Sequence, residues 1–266
     1  DFSAMKKQVE GAAKGQSKFK GMLKSTAAQM AIGMGAMFGV QAGMRAIKTA
    51  ITSTIQAGRE FEREWANTTT MLTVSAQETD KLKQELLTLS PTLGDTTDLA
   101  RGMYQVLSAS VEPAKAIKFL GVAAMSAKAG VTDTTTAVDA LTTVINAYGM
   151  QAEDVTKVSD IMFQAVKRGK LTYGGLSGAL GTVVPMAAKV GLSFEEVAAA
   201  MASLTRQGIN VNTTSVQLRG ILTGILKPTS QAKTMAKKLG LEFNAAALRA
   251  KGLSGFLADV SEKTKG

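Results

Sequence analysis

Residues 186–210 read MAAKVGLSFEEVAAAMASLTRQGIN, and the two corners inside this stretch decide the fold. An alanine-rich helical run stops at Gly191, Leu192 follows, and Ser193 stands three residues before Glu196. That spacing is a capping box: the serine oxygen and the glutamate carboxylate each satisfy a free amide at the start of the next helix. The second helix stops in its turn at Gly208, with Ile209 and Asn210 behind it. Each part of such a corner has a task. The glycine takes the left-handed position that closes a helix, the apolar residue after it folds back onto the last turn, and a polar residue opens the next helix. The same order recurs at Gly130-Val131-Thr132, Gly149-Met150-Gln151 and Gly240-Leu241-Glu242, so Gly130, Gly149, Gly191, Gly208 and Gly240 are the expected helix corners.

Working outward, the apolar spacing predicts helices over 95–108, 113–129, 132–148, 152–167, 176–190, 193–207 and 213–226. Pro113 suits a first helical turn, and Lys227-Pro228 closes the block. Upstream, Ser75 and Glu78 form another capping box that starts a helix over 76–89, with Ser90-Pro91 as its expected end. Downstream, 230–239 and 254–263 read as two more helices on a basic tail. Met125–Thr132, MSAKAGVT, and Met186–Ser193, MAAKVGLS, are alike at an offset of 61 residues, about one helical hairpin, which suggests a duplicated unit. Residues 172–185, TYGGLSGALGTVVP, are rich in glycine, but they lack the Lys-Ser/Thr ending of a phosphate loop and read as a helix.

The N-terminal part differs in kind. Residues 25–44, STAAQMAIGMGAMFGVQAGM, carry no charge, and Ala27, Ala31, Gly35, Gly39 and Gly43 recur at every fourth position. On a helix these small side chains form one line along which a second helix can approach closely, in a bilayer or in a protein bundle. Ile47, Ile51, Ile55, Phe61 and Trp65 continue the helical pattern, so a single helix over 25–66 is expected, behind a basic helix over 3–24. The fold expected is all-α: a long N-terminal helix followed by a block of short helical hairpins. Four parts follow from this: 1–66 for self-packing, 67–90 as a Thr-rich break and connecting helix, 91–228 as the hairpin core, and 229–266 as a basic helical tail.

Composition narrows the chemistry. The chain of 266 residues has no Cys and no His, which removes disulfides, thiolate metal sites and the usual neutral-pH base. No cofactor and no metal are expected. The net charge is +10, concentrated in 1–24 and 227–266. Such a balance suits an acidic neighbour, whether nucleic acid, anionic lipid or a negatively charged channel wall. Starting at Asp1 and ending on Lys-Thr-Lys-Gly, the chain reads as a piece of something longer.

Three phrases carry a resemblance. SPTLGDTTDLARGMYQVLSAS over 90–110, LSGALGTVVPMAAKVGLSFEEVAAAMASLTRQGIN over 176–210 and TTSVQLRGILTGILKP over 213–228 resemble the core region of phage tail tape measure proteins, and the similarity extends over roughly 61–239. The resemblance implies an elongated helical virion component that lies in the tail lumen or tip, sets tail length during assembly and is released ahead of the DNA. Its implied partners are copies of itself, the tail tube and tail-tip or baseplate proteins, a DNA end, and the host membrane at ejection.

Two other readings stay beside it. A membrane-active helical protein forming a channel in the host envelope would use residues 25–44 as its span. An enzyme would have to use the carboxylate pairs Glu195-Glu196, Asp95 with Asp98, or Glu153-Asp154. All three fall in expected first turns, where acidic groups offset the helix dipole, so no catalytic residue is assigned.

Overall fold

The computed structural model describes residues 40–265, which hold eleven α-helices, one short 3-10 turn at Ala152–Asp154 and no strand. The chain is all-α. It divides into two units, Asp1–Ala66 and Asn67–Gly266. Helix α1, Val40–Thr69, gives the first unit its described residues. The other parts of the helices expected over 3–24 and 25–66 lie outside the described residues, and with them Ala27, Ala31, Gly35 and Gly39. Gly43 stands near the start of α1, and its surroundings are likewise outside them.

In the second unit the helices are α2 (Ala76–Leu93), α3 (Thr96–Ser108), α4 (Pro113–Gly130), α5 (Thr134–Tyr148), α6 (Val155–Arg168), α7 (Tyr173–Val190), α8 (Phe194–Arg206), α9 (Val211–Leu226), α10 (Ser230–Lys238) and α11 (Ala245–Thr264). Eight of them lie within three residues of their expected bounds; the starts carry a capping side chain or a proline, except that of α6, which is entered through the 3-10 turn. Ser75, Asp95, Asp133, Thr172, Ser193, Asn210, Thr229 and Asn244 all accept from an amide of the turn they open.

Packing follows a simple rule. Each helix contacts the next one and the next but one, so α3, α5, α7 and α9 form one row and α2, α4, α6 and α8 a second row against it. This is the organisation of a helical-repeat array, in which hairpins bury their apolar faces on their neighbours. The core between the rows is made by Leu99, Met103, Phe119, Leu120, Leu141, Met162, Leu176, Leu180 and Met201, all fully buried. The repeat is visible in the caps of one row: Asp95, Asp133, Thr172 and Asn210 stand 38, 39 and 38 residues apart. The alike phrases at 125–132 and 186–193 therefore do not mark the repeat. The first sits at the α4–α5 corner and the second at the α7–α8 corner, three helices further on, so they join the two rows in opposite directions.

Three local expectations need correction. Helix α2 runs through Ser90-Pro91 to Leu93: the proline falls in the last turn, where its missing N–H costs one bond and the Gly94 amide still reaches Ser90 O at 3.3 Å. Helix α11 starts at Ala245 and bends at Gly252, where φ is 68°. At the α4–α5 corner the left-handed residue is Val131, with φ 54° and ψ 52°, while Gly130 ends the helix. Gly130 is needed for space instead, since a Cβ there would stand 2.6 Å from the Tyr173 Cβ.

Candidate functional site

Corners of a few residues make successive helices antiparallel, so helices within one row run parallel and the array has two edges. One edge gathers the N-termini of α4, α6 and α8, the other their C-termini. Contacts along the first edge are ionic. Lys115 Nζ lies 3.2 Å from both Glu112 and Glu153, and Lys157 lies 3.0 Å from Glu195. Its own backbone amide and then Lys115 hold the Glu153 carboxyl below the usual range.

The α7–α8 corner adds a tertiary lock to this edge. Gly191 is left-handed at φ 85°, and the Arg249 side chain lies across it, its Nε donating to Val190 O at 2.9 Å. Glu196 completes the capping box through Oε2, which accepts from Ser193 N at 3.0 Å and from its hydroxyl at 2.8 Å. The other oxygen, Oε1, accepts from Leu253 N at 2.9 Å, immediately after the Gly252 bend. One carboxylate thus starts α8 and holds α11. Partial burial pushes this carboxyl up, but the Leu253 amide and the two Ser193 donors outweigh it, and the net direction is down.

The remaining carboxylates named as pairs are used in the same way. Asp95 accepts from Thr97 N at 2.8 Å and Asp98 N at 3.3 Å, and Asp98 receives the amide of Thr134 at 3.2 Å together with its hydroxyl. Asp154 accepts from Gln151 N at 3.0 Å. All three are acceptors for fixed backbone donors: Asp95 and Asp154 act within their own turns, and Asp98 joins the starts of α3 and α5. Tyr173, fully buried against Phe163 with ring centroids 4.9 Å apart, is pushed up to about 12 by burial, against a smaller pull from Ser126 and Ser159. It is a neutral core phenol. Among the described residues, no cluster of His, Cys, Asp or Glu is placed to hold a metal ion.

Of the corner glycines, Gly149, Gly191, Gly208 and Gly240 have positive φ, and Gly130 does not. They lie at separate corners, and no common site brings them together. The opposite edge, at the C-termini of α6 and α8, was not legible from sequence. Lys167, Arg168 and Arg206 are set there around two grooves, and Val131 protrudes beside them. The signal for Val131 was misread: an apolar residue after glycine was expected to fold back onto the helix, and it stands 93% exposed.

Fold and edges together describe a helical-repeat protein in which polar groups fasten helices to one another. Comparison with known proteins gives the particular family: the model for the phage-related minor tail protein family matches residues 83–266, and the chain belongs to that family. The chain is 34% identical over 152 residues to a probable tape measure protein of Clostridium phage phiCD119, covering 55% of this chain and 16% of that protein. It is 26% identical over 193 residues to the tape measure protein of Pneumococcus phage Dp-1, covering 72% of this chain and 17% of that one. A probable tape measure protein of Escherichia phage P2 is 26% identical over 97 residues, 36% of this chain and 12% of that protein. The chain thus spans about a sixth of the length of the first two relatives. No solved structure matches it. The channel reading finds no support in these relatives, and among the described residues no helix is long and apolar enough to cross a membrane.

Proposed function

We propose that this chain is a helical core segment of a tape measure protein, held in the tail lumen or at the tail tip, which takes part in tail assembly and length determination and leaves with the DNA at ejection. The observation that carries this reading is the likeness to tape measure proteins over up to 72% of the chain, joined to an all-helical array. Its role is positional and needs no catalysis: the carboxylates nearest to an acid–base pair are occupied as caps and ion-pair partners. Residues 1–66 are the part for packing against copies of the chain, through Ala27, Ala31, Gly35, Gly39 and Gly43. Residues 67–90 connect, 91–228 form the core, and 229–266 are a basic tail suited to the tube wall or a DNA end. Tail-tip or baseplate proteins would dock on the hairpin core.

The test is genetic and visual. In the phage or prophage that encodes the chain, Leu141→Asp puts a charge at a fully buried core position and should destroy the array. Negative-stain microscopy should then show missing tails or tails of irregular length. Normal tails of uniform length that still contain the substituted protein would overturn the reading.

A further inference from the structure

We propose that the C-terminal end of α6, with the grooves on its two sides, is a docking site for a carboxylate-rich peptide segment of another protein, anchored by one apolar side chain. Two observations independent of each other lead there. The first is charge. Lys167 and Arg168 end α6, Arg206 ends α8, and Lys170 follows in the corner; all four are exposed, and none of them joins an ion pair among the described residues. Cations in a last turn also offset the helix dipole, which accounts for their presence but not for the second observation.

That second observation is Val131. A β-branched residue with φ 54° is strained, because its Cβ crowds the following carbonyl, and glycine serves the same corner position at Gly208 and Gly240. Here the strained residue is also 93% exposed, so core packing does not hold it in place. It rims a pocket of about 650 Å³ walled by Phe163, Val166 and Leu171, with Lys167 at the side. Lys167 also borders the second groove, of about 950 Å³, which runs between α6 and α8 over an alanine floor of Ala165, Ala198 and Ala202. An apolar pocket thus adjoins a basic groove with one shared cation.

This arrangement takes a peptide and not a nucleic acid. Lys167, Arg168 and Arg206 are confined to the end of the groove where α6 and α8 stop, while Asp160 and Glu195 stand towards the helix starts, so the basic stretch is too short to track a phosphate backbone and long enough for a few carboxylates. Phe163 and Tyr173 both line the pocket but pack against each other, tilted by 39° with centroids 4.9 Å apart, and Tyr173 is buried, so they do not form a platform on which successive bases could stack. A peptide can instead seat one apolar side chain in the pocket and lay its carboxylates along Lys167, Arg168 and Arg206. The inference is separate from any part in tail length, and its test uses the isolated chain.

The probe is a short fluorescein-labelled peptide of glutamates around a central Leu-Phe pair, followed by anisotropy with the full chain. A copy with serines in place of that pair and a fluorescein-labelled single-stranded oligonucleotide are the comparisons. Expected is saturable binding of the first peptide, weakened about tenfold by Lys167→Glu with Arg168→Glu. Val131→Gly should weaken it at least severalfold while leaving thermal stability unchanged or higher, a split that a purely structural role would not produce. The idea is overturned if the apolar peptide does not bind, if it binds no better than the serine copy, or if Val131→Gly leaves its affinity intact. Stronger binding of the oligonucleotide, indifferent to Val131→Gly, would overturn it in favour of a polyanion site.

Discussion

Ser110 and Val131 have positive φ without being glycine, at 66° and 54°. Each closes a helix corner, the position where Gly149, Gly191, Gly208 and Gly240 close others. The left-handed conformation costs a residue with a Cβ on the order of 1–2 kcal/mol, so the chain spends stability at two corners and saves it at four. Ser110→Gly should therefore raise stability by about 1 kcal/mol, seen as a higher urea midpoint at an unchanged slope. Gly191→Ala should act the other way and more strongly. The conformation is again unfavourable, and the added Cβ would stand 2.5 Å from Arg249 Nε, so the cap on Val190 would be displaced as well. If Gly191→Ala were neutral, the corner would be looser than described.

The elements themselves were legible from sequence because their ends are chemical. A serine, aspartate, threonine or asparagine at the start of a helix, with a glutamate three residues on in the boxes, names its own role, and Ser75–Glu78 and Ser193–Glu196 close as the spacing requires. What could not be read was the second partner of these groups. Glu196 sits in a local motif, yet the amide of Leu253 that it accepts lies 57 residues away and is reachable only because α11 bends at Gly252. The repeat was hidden for a similar reason: the caps at 38- and 39-residue intervals are Asp, Asp, Thr and Asn, alike in hydrogen bonding and not in identity. A pH experiment isolates the Glu196 contact. Its carboxyl is lowered on folding, so its contribution is fully present above the ordinary glutamate value of about 4.3 and is lost as pH falls through the depressed value. Hydrogen exchange should show the Leu253 amide losing protection as pH falls below the ordinary glutamate value of about 4.3, after correction for intrinsic rates, and already open at neutral pH in Glu196→Gln. Equal protection above and below that value would mean that α11 is held by other contacts.

For the molecule as a whole, the consequential feature is that each helix of the two rows touches its near neighbours in sequence and little else. A globular core resists being pulled apart until it fails at once. A row of hairpins does not: its resistance is shared out among separate joints, each holding a segment of 38 or 39 residues. Pulled from one end in optical tweezers, the second unit should lengthen in a staircase, each step releasing about 130 Å of chain at roughly 3.4 Å per residue. A single rip of the entire unit would show that the joints are coupled. With a staircase, the protein could be drawn as a thin thread through an opening far narrower than its folded width, one hairpin at a time, with no step needing the energy of unfolding the whole.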